Sequence, residues 1–366
     1  MMCIMKRLSS FIILTIIIML NLGCKEHIVS PSNSAVDISW AFLGLKNESI
    51  SSIVVDPTNA NIIYAGSSYD FSSGTPGRLF KSTNRGKTWD TLTTNYGAQF
   101  LGLVIDPRNH EIIHAAWWGL IKSYDGGTTW QDEGNGIIVT PGETHVCALI
   151  MDPNNSNVLY AGTAGPMAGY LYKSTDAGAN WKALGNDSLG DGIQSIAFDP
   201  LNSNTVYIGT EFNGMLRKSI DAGGHWQWPG FAEKGLLKTI AIDPGNSQRI
   251  IAGTSVGGFS STPVVWISEN GGNSFQPFNQ GILDNTESCY GLQFNSESQF
   301  DLYEGGYGVY HKTDINSEWI SFNQGLPENS RVQVLVLGQD NNLYAGMMVF
   351  DDSLRKGGIY HRTIVH

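Results

Sequence analysis

The side chains best suited to chemistry in this sequence are a few carboxylates, aromatics and cations set between short β-branched runs. Glu211 with Asp70 or Asp351 could supply the acid and the base of glycosidic hydrolysis, which needs two carboxyl groups roughly 5 to 10 Å apart. Trp117 and Trp118, with Tyr69, Phe212, Tyr290 and Tyr307, offer flat faces on which a sugar ring or a peptide side chain can stack. His145, Gln194, Lys238, Arg331 and Arg355 add hydrogen-bond donors. Without any hydrolysis, the same set suits capture of a glycan or protein ligand.

Other chemistries find no support in the spacing. None of the eight histidines stands with Cys, Asp or Glu at metal-ligand spacing, so neither a metal nor any other cofactor is expected. His114 reads as a satisfied core residue. The run Gly305-Gly306-Tyr307-Gly308 opens no helical pattern and reads as a turn rather than a phosphate cradle. A formal net charge of −11 argues against nucleic acid as a partner.

The first residues read as a removable leader. Lys6 and Arg7 precede an apolar run from Phe11 to Leu22, too short to span a bilayer but suited to a signal-peptide core, so residues 1–23 are expected to be cleaved. Leu22-Gly23-Cys24 resembles the bacterial lipobox, although Asn21 stands where a leucine is usual. The resemblance implies acylation of Cys24 and a flexible tether over residues 24–37. The expected location is the outer membrane or cell surface through that lipid anchor, or else the medium, with the chain monomeric. Cys147 and Cys289 fall in distant repeats and are expected as buried free thiols.

Repetition dominates the segments that hold these residues. KSTNRGKTW ending at Trp89 returns as KSYDGGTTW at Trp130, KSTDAGANW at Trp181 and KSIDAGGHW at Trp226, with weaker copies ending at Phe275 and Trp319. A second motif precedes each copy, as in VVDPTNANIIYAG, and its aspartates Asp56, Asp106, Asp152, Asp199 and Asp243 lie 50, 46, 47 and 44 residues apart. Each unit is long enough for one four-stranded sheet. The run before Asp-Pro suits an innermost strand covered on both faces, and Asp-Pro itself suits a turn.

The KSTDAGANW type of segment resembles the Asp-box, or BNR, repeat, and the resemblance covers essentially all of the chain from residue 38 on. It implies an all-β fold, a β-propeller. Ser82, Ser123, Ser174, Ser219 and Ser268, with Asp125, Asp176 and Asp221, are then structural residues that accept turn N–H groups. Six aromatic box ends are followed by one further unit with three strands and no box. Trp40-Ala-Phe-Leu-Gly matches the box exits, such as Trp181-Lys-Ala-Leu-Gly. The expectation is one domain over residues 38–366, a seven-bladed propeller whose N-terminal strand completes the last blade.

Asp-box propellers include sialidases, xyloglucanase-type glycoside hydrolases, the sortilin luminal domain and photosystem assembly factors. A sialidase would show a Phe-Arg-Ile-Pro-like motif, which is absent. Xyloglucanase-type enzymes resemble two such propellers facing one another, with one catalytic aspartate from each. Because no catalytic set emerges from the spacing, the expected function is non-catalytic, a ligand-binding or scaffold module of the cell envelope. The alternatives are a glycoside hydrolase using the carboxylates opposite the boxes, and an assembly factor for a membrane complex.

Overall fold

The computed structural model describes residues 39–364 except 71–73, 93–98, 140–143, 166–168, 185–191, 212–215, 232–234, 256–263, 284–287, 296–299 and 350–356. The leader, Cys24 and the tether lie outside the described residues, as do Phe212, Asp351 and Arg355. Among the described residues no helix is long and apolar enough to cross a membrane.

The chain is an all-β, seven-bladed propeller. Each repeat forms one antiparallel sheet. In blade one the strands are Ile50–Val55, Ile63–Ser67, Leu79–Ser82 and Asp90–Leu92, hydrogen-bonded in chain order. The first turn is held by Asp56, whose Oδ1 accepts the N–H groups of Thr58 and Asn59, both at 2.9 Å. The second strand is buried along its whole length, because neighbouring blades cover both of its faces. This explains its β-branched and small residues. The glycine near the end of the second strand in most blades is required by close approach: a Cβ on Gly162 would lie 2.6 Å from Ile193 Cγ2, and one on Gly346 would lie 2.7 Å from Ile50 Cγ2. Each such glycine admits the first buried side chain of the next blade.

The last sheet joins Ala41–Gly44 to Gly358–Thr363, Asn342–Met347 and Val332–Leu337. Ala41 faces His361 and Phe42 faces Tyr360 in the pairing, so the strand that begins the described chain closes the ring. Trp40 is only 3% exposed, and its indole N–H donates to Phe322 O at 2.6 Å.

Blade four departs from the pattern. Its sheet has three strands, and the outer strand is reduced to the bridged pair Lys218 and Gln227. The cause is Pro229. At the equivalent position Glu133, Leu184 and Phe278 donate backbone N–H bonds to Leu120, Leu171 and Val265, and proline has no N–H to donate.

The blades are also latched to one another. Tyr160 Oη and Lys173 Nζ both donate to Ala222 O in the next blade's box, at 2.7 and 3.1 Å. Tyr64 with Lys81 does the same to Gly126 O, and Tyr207 with Lys218 to Gly271 O. In each case the ammonium also lies 5.2–5.4 Å from the tyrosine ring centre, close enough for a cation–π contribution.

Candidate functional site

The boxes occupy one face of the ring, and their polar side chains are spent on the turn. Ser174 Oγ accepts the Gly178 N–H at 2.9 Å and donates to Asp176 Oδ1 at 2.7 Å, while that carboxylate accepts the Asn180 N–H at 2.9 Å. Ser82, Ser123, Ser219 and Ser268 accept the equivalent glycine N–H in the same way. Asp125 is held down at about 2 by the hydroxyl and N–H of Thr129. Asp221 is likewise lowered, first by its bond to His225.

The opposite face is built by the starts of the innermost strands and by the loops between second and third strands. In five inner strands the pairing slips at the same place, leaving Ser51, Cys147, Gln194, Lys238 and Gln333 as the extra residue of a β-bulge. A bulge bends its strand and re-aims the side chain it carries. The consequence is contact across blades three, four and five. Lys238 Nζ donates to Gln194 Oε1 at 2.7 Å, and Gln194 Nε2 lies 4.0 Å from Cys147 Sγ.

Three further predicted residues join this string. The Glu211 N–H donates to Gly192 O at 2.8 Å, and its carboxylate lies over Gly192, where a Cβ would come within 2.5 Å of Oε2. The His145 ring meets that of Trp118 edge to face at 6.1 Å. Burial, with the nearby Lys238 charge, lowers the His145 pKa below its ordinary value, so the imidazole is neutral at pH 7. Lys238 is lowered by burial, which the neighbouring Cys147 and Glu211 partly oppose. A neutral imidazole, a lysine amino group, an amide and a carboxyl thus converge from three blades.

Beside this cluster Trp117, Trp118, Ile137 and Val139 line a cavity of about 490 Å³, with Asp132 at its edge. Its walls are apolar and aromatic, the composition that binds a ring by stacking. Tyr69 and Asp70 are half-buried on the blade-one loop, which the Asp70 N–H closes onto Thr75 O at 2.8 Å. Arg331 lies over the Tyr307 ring at 4.4 Å and pairs with it through the backbone, a separate couple at blades six and seven. Tyr290 is half-buried at the start of blade six.

Both described thiols are free. Cys289 is buried, but Cys147 is half-buried among the bulge residues rather than in the core. Sequence reading missed its place because a bulge leaves no mark in composition. The available signal was alignment, since Cys147, Gln194 and Lys238 hold one position of the repeat. Asp351 and Arg355, expected on the same face, lie outside the described residues.

With repeats, turn geometry and ring closure together, the chain has the fold of a seven-bladed β-propeller. No known family profile matches it. Among characterised proteins it is similar to a probable oligoxyloglucan-reducing end-specific xyloglucanase of Neosartorya fischeri, at 30% identity over 156 residues, 39% of this chain and 19% of that protein. It is also similar to a xyloglucanase of Hypocrea jecorina, at 27% over 256 residues, 62% of this chain and 29% of that protein. Among solved structures, the GH74 enzyme of Niastella koreensis superposes with a TM-score of 0.64 and 22% identity, covering 85% of this chain and 51% of that one. YCF48 of Cyanidioschyzon merolae superposes with a TM-score of 0.64 and 13% identity over 89% of this chain and 98% of that one. The chain therefore spans less than a third of the length of these two xyloglucanases and about half of the GH74 structure. These relatives overturn the expectation of a non-catalytic scaffold: the sequence matches are to xyloglucanases, which favours the hydrolase alternative.

Proposed function

We propose that this chain is a glycoside hydrolase acting on a polysaccharide of the xyloglucan kind, with the face opposite the boxes as its substrate face. The observation that carries the reading is the similarity to xyloglucanases, which in one case extends over 62% of the chain. The geometry is compatible with it. The Trp117–Trp118 cavity would stack one sugar ring, and Glu211, Gln194 and Lys238 would hydrogen-bond the hydroxyls of the next. Hydrolysis needs one carboxyl to protonate the departing glycosidic oxygen and a second to activate water or attack the anomeric carbon. Glu211 is one of this pair, and Asp70 or Asp351 is the other. By the same proposal the leader is removed and Cys24 carries lipid, which puts the propeller at the cell surface, where a polysaccharide is accessible.

The test is release of reducing ends from xyloglucan by the purified chain. Wild type should release them, Glu211→Gln should lose at least about 100-fold in rate, as loss of a general acid or base does, and Trp117→Ala should raise KM. A wild-type chain that leaves xyloglucan and related β-glucans intact overturns the reading.

A further inference from the structure

Six blades place a small or aliphatic residue in the middle of the second strand: Ala65, Ala115, Ala161, Ile208, Ala252 and Ala345. Blade six places Glu304 there, opposite Leu292 and Tyr310 in the sheet. Its side chain is fully buried. Neither carboxyl oxygen has a hydrogen-bond partner among the described residues beyond the weak thiol of Cys289. Cys289 belongs to the apolar cluster shared by blades five and six, with Ile251, Val265, Ile267 and Tyr310, so the carboxyl lies in the seam between them.

This seam also lacks the tyrosine–lysine latch. The residues in those two positions are Ile251 and Ile267, which pack with Ile315 of the next box. The bonds that cross the seam include the Trp319 indole N–H to Phe278 O at 2.6 Å, the Trp319 backbone N–H to Gln280 O at 2.8 Å and the Cys289 N–H to Thr254 O at 2.9 Å, and the Ser255–Ser288 hydroxyl pair at 2.7 Å. The charged groups bordering it include Arg249, paired with Asp243 and lying over Phe300, Lys312, lying over Phe278, and the carboxylates of Glu269 and Glu318. Neither cation is among the groups that act on Glu304, for which burial and the Cys289 thiol are the influences. A carboxylate buried without a cation is strongly disfavoured.

We propose that the seam between blades five and six is a proton-controlled gate, closed while Glu304 is protonated and opening locally, with exposure of Cys289, when Glu304 ionises. The direction follows from linkage. Burial raises Glu304 to about 8 in the closed ring, while the exposed group titrates near its ordinary value of about 4.3. The closed seam therefore holds a proton that the open one releases across that window. Its stability is greatest below the lower value, falls as pH rises, and levels off above the higher one. Each pH unit in between raises the opening constant up to about tenfold.

Hydrogen exchange of the full chain, corrected for the intrinsic pH dependence of exchange, tests this directly. Between pH 5 and 8 the opening constant at residues 289–294 should rise by about 100-fold or more in wild type, and Cys289 labelling, mapped by mass spectrometry, should follow it. Glu304→Gln and Glu304→Ala should flatten that slope. Residues 193–199, in the latched seam between blades three and four, serve as the internal control and should show no such rise in wild type. A wild-type slope equal at both seams overturns the proposal even if neither variant folds, and so does an unchanged slope in either folded variant. The outcome is independent of whether the chain cleaves a polysaccharide.

Discussion

His114 stands where blades one, three and four place the latch tyrosine, and it fills the space without the bond. Its ring approaches the next box, since a Cβ on Gly178 would lie 2.9 Å from His114 Cε1, but Nε2 has no partner among the described residues. Lys122 alone reaches Ala177 O, at 2.8 Å. Burial, then the Lys122 charge, push the histidine down to about 3. A group whose folded pKa is depressed binds fewer protons folded than unfolded, so stability is complete above about 6.5 and is lost as pH falls toward 3, by up to about 1.4 kcal/mol per unit. His114→Tyr should restore a hydrogen bond worth about 1 kcal/mol, raise Tm by a few degrees at pH 7, and reduce the loss of Tm between pH 6 and 4. Melting curves across that range decide it, and an unchanged acid slope would mean that other groups dominate.

At the scale of the strand, the latch explains why a lysine precedes the box serine in blades one to four: it reaches out of its own sheet. Two donors converge on Ala222 O, and Tyr160 supplies both a hydroxyl and a ring face to Lys173. Tyr160→Phe and Lys173→Met should each cost about 1 kcal/mol. The double mutant should differ from their sum by about 0.5 kcal/mol or more, because the two share one acceptor and one contact. Strictly additive denaturation free energies would show that the donors act separately. Much of this level could be read from the sequence. The Tyr-x-Gly ends, the Asp-Pro turns and the Ser-x-Asp boxes name their own local structure, because each satisfies backbone groups within a few residues. The bulges could not be read, since an extra residue in a strand changes register rather than composition. The loss of blade four's outer strand was written in Pro229, but it becomes legible only once the repeats are aligned position by position. The candidate site shared that limit. Glu211, His145 and Lys238 stood out by breaking the repeat, yet their convergence depends on bulges in three different blades.

A propeller resists unfolding as a whole only if its ring is shut, and here the closing strand comes from the opposite end of the described chain. Trp40 takes the place that box tryptophans take elsewhere. Its N–H donates to Gln324 O at 2.8 Å, as those of Trp181 and Trp319 donate to Asn135 O and Gln280 O at the same distance. The following glycine packs on each tryptophan in the same manner: a Cβ on Gly325 would lie 2.3 Å from Trp40 O, matching 2.2 Å for Gly136 on Trp181 and 2.3 Å for Gly281 on Trp319. Blade seven therefore borrows its box exit from residues that precede blade one. Such closure ties the stability of the first and last blades together and leaves no long unpaired edge at Gly358–Thr363. Trp40→Ala should cost about 3–5 kcal/mol, the usual loss for a buried aromatic, and removing residues 38–45 should do more by baring that edge. The deletion should lower the melting temperature and raise light scattering on heating, and blade seven should gain hydrogen exchange at Gly358–Thr363 before blade three does. Equal protection of both blades in the deleted chain would show that the ring holds without its closing strand.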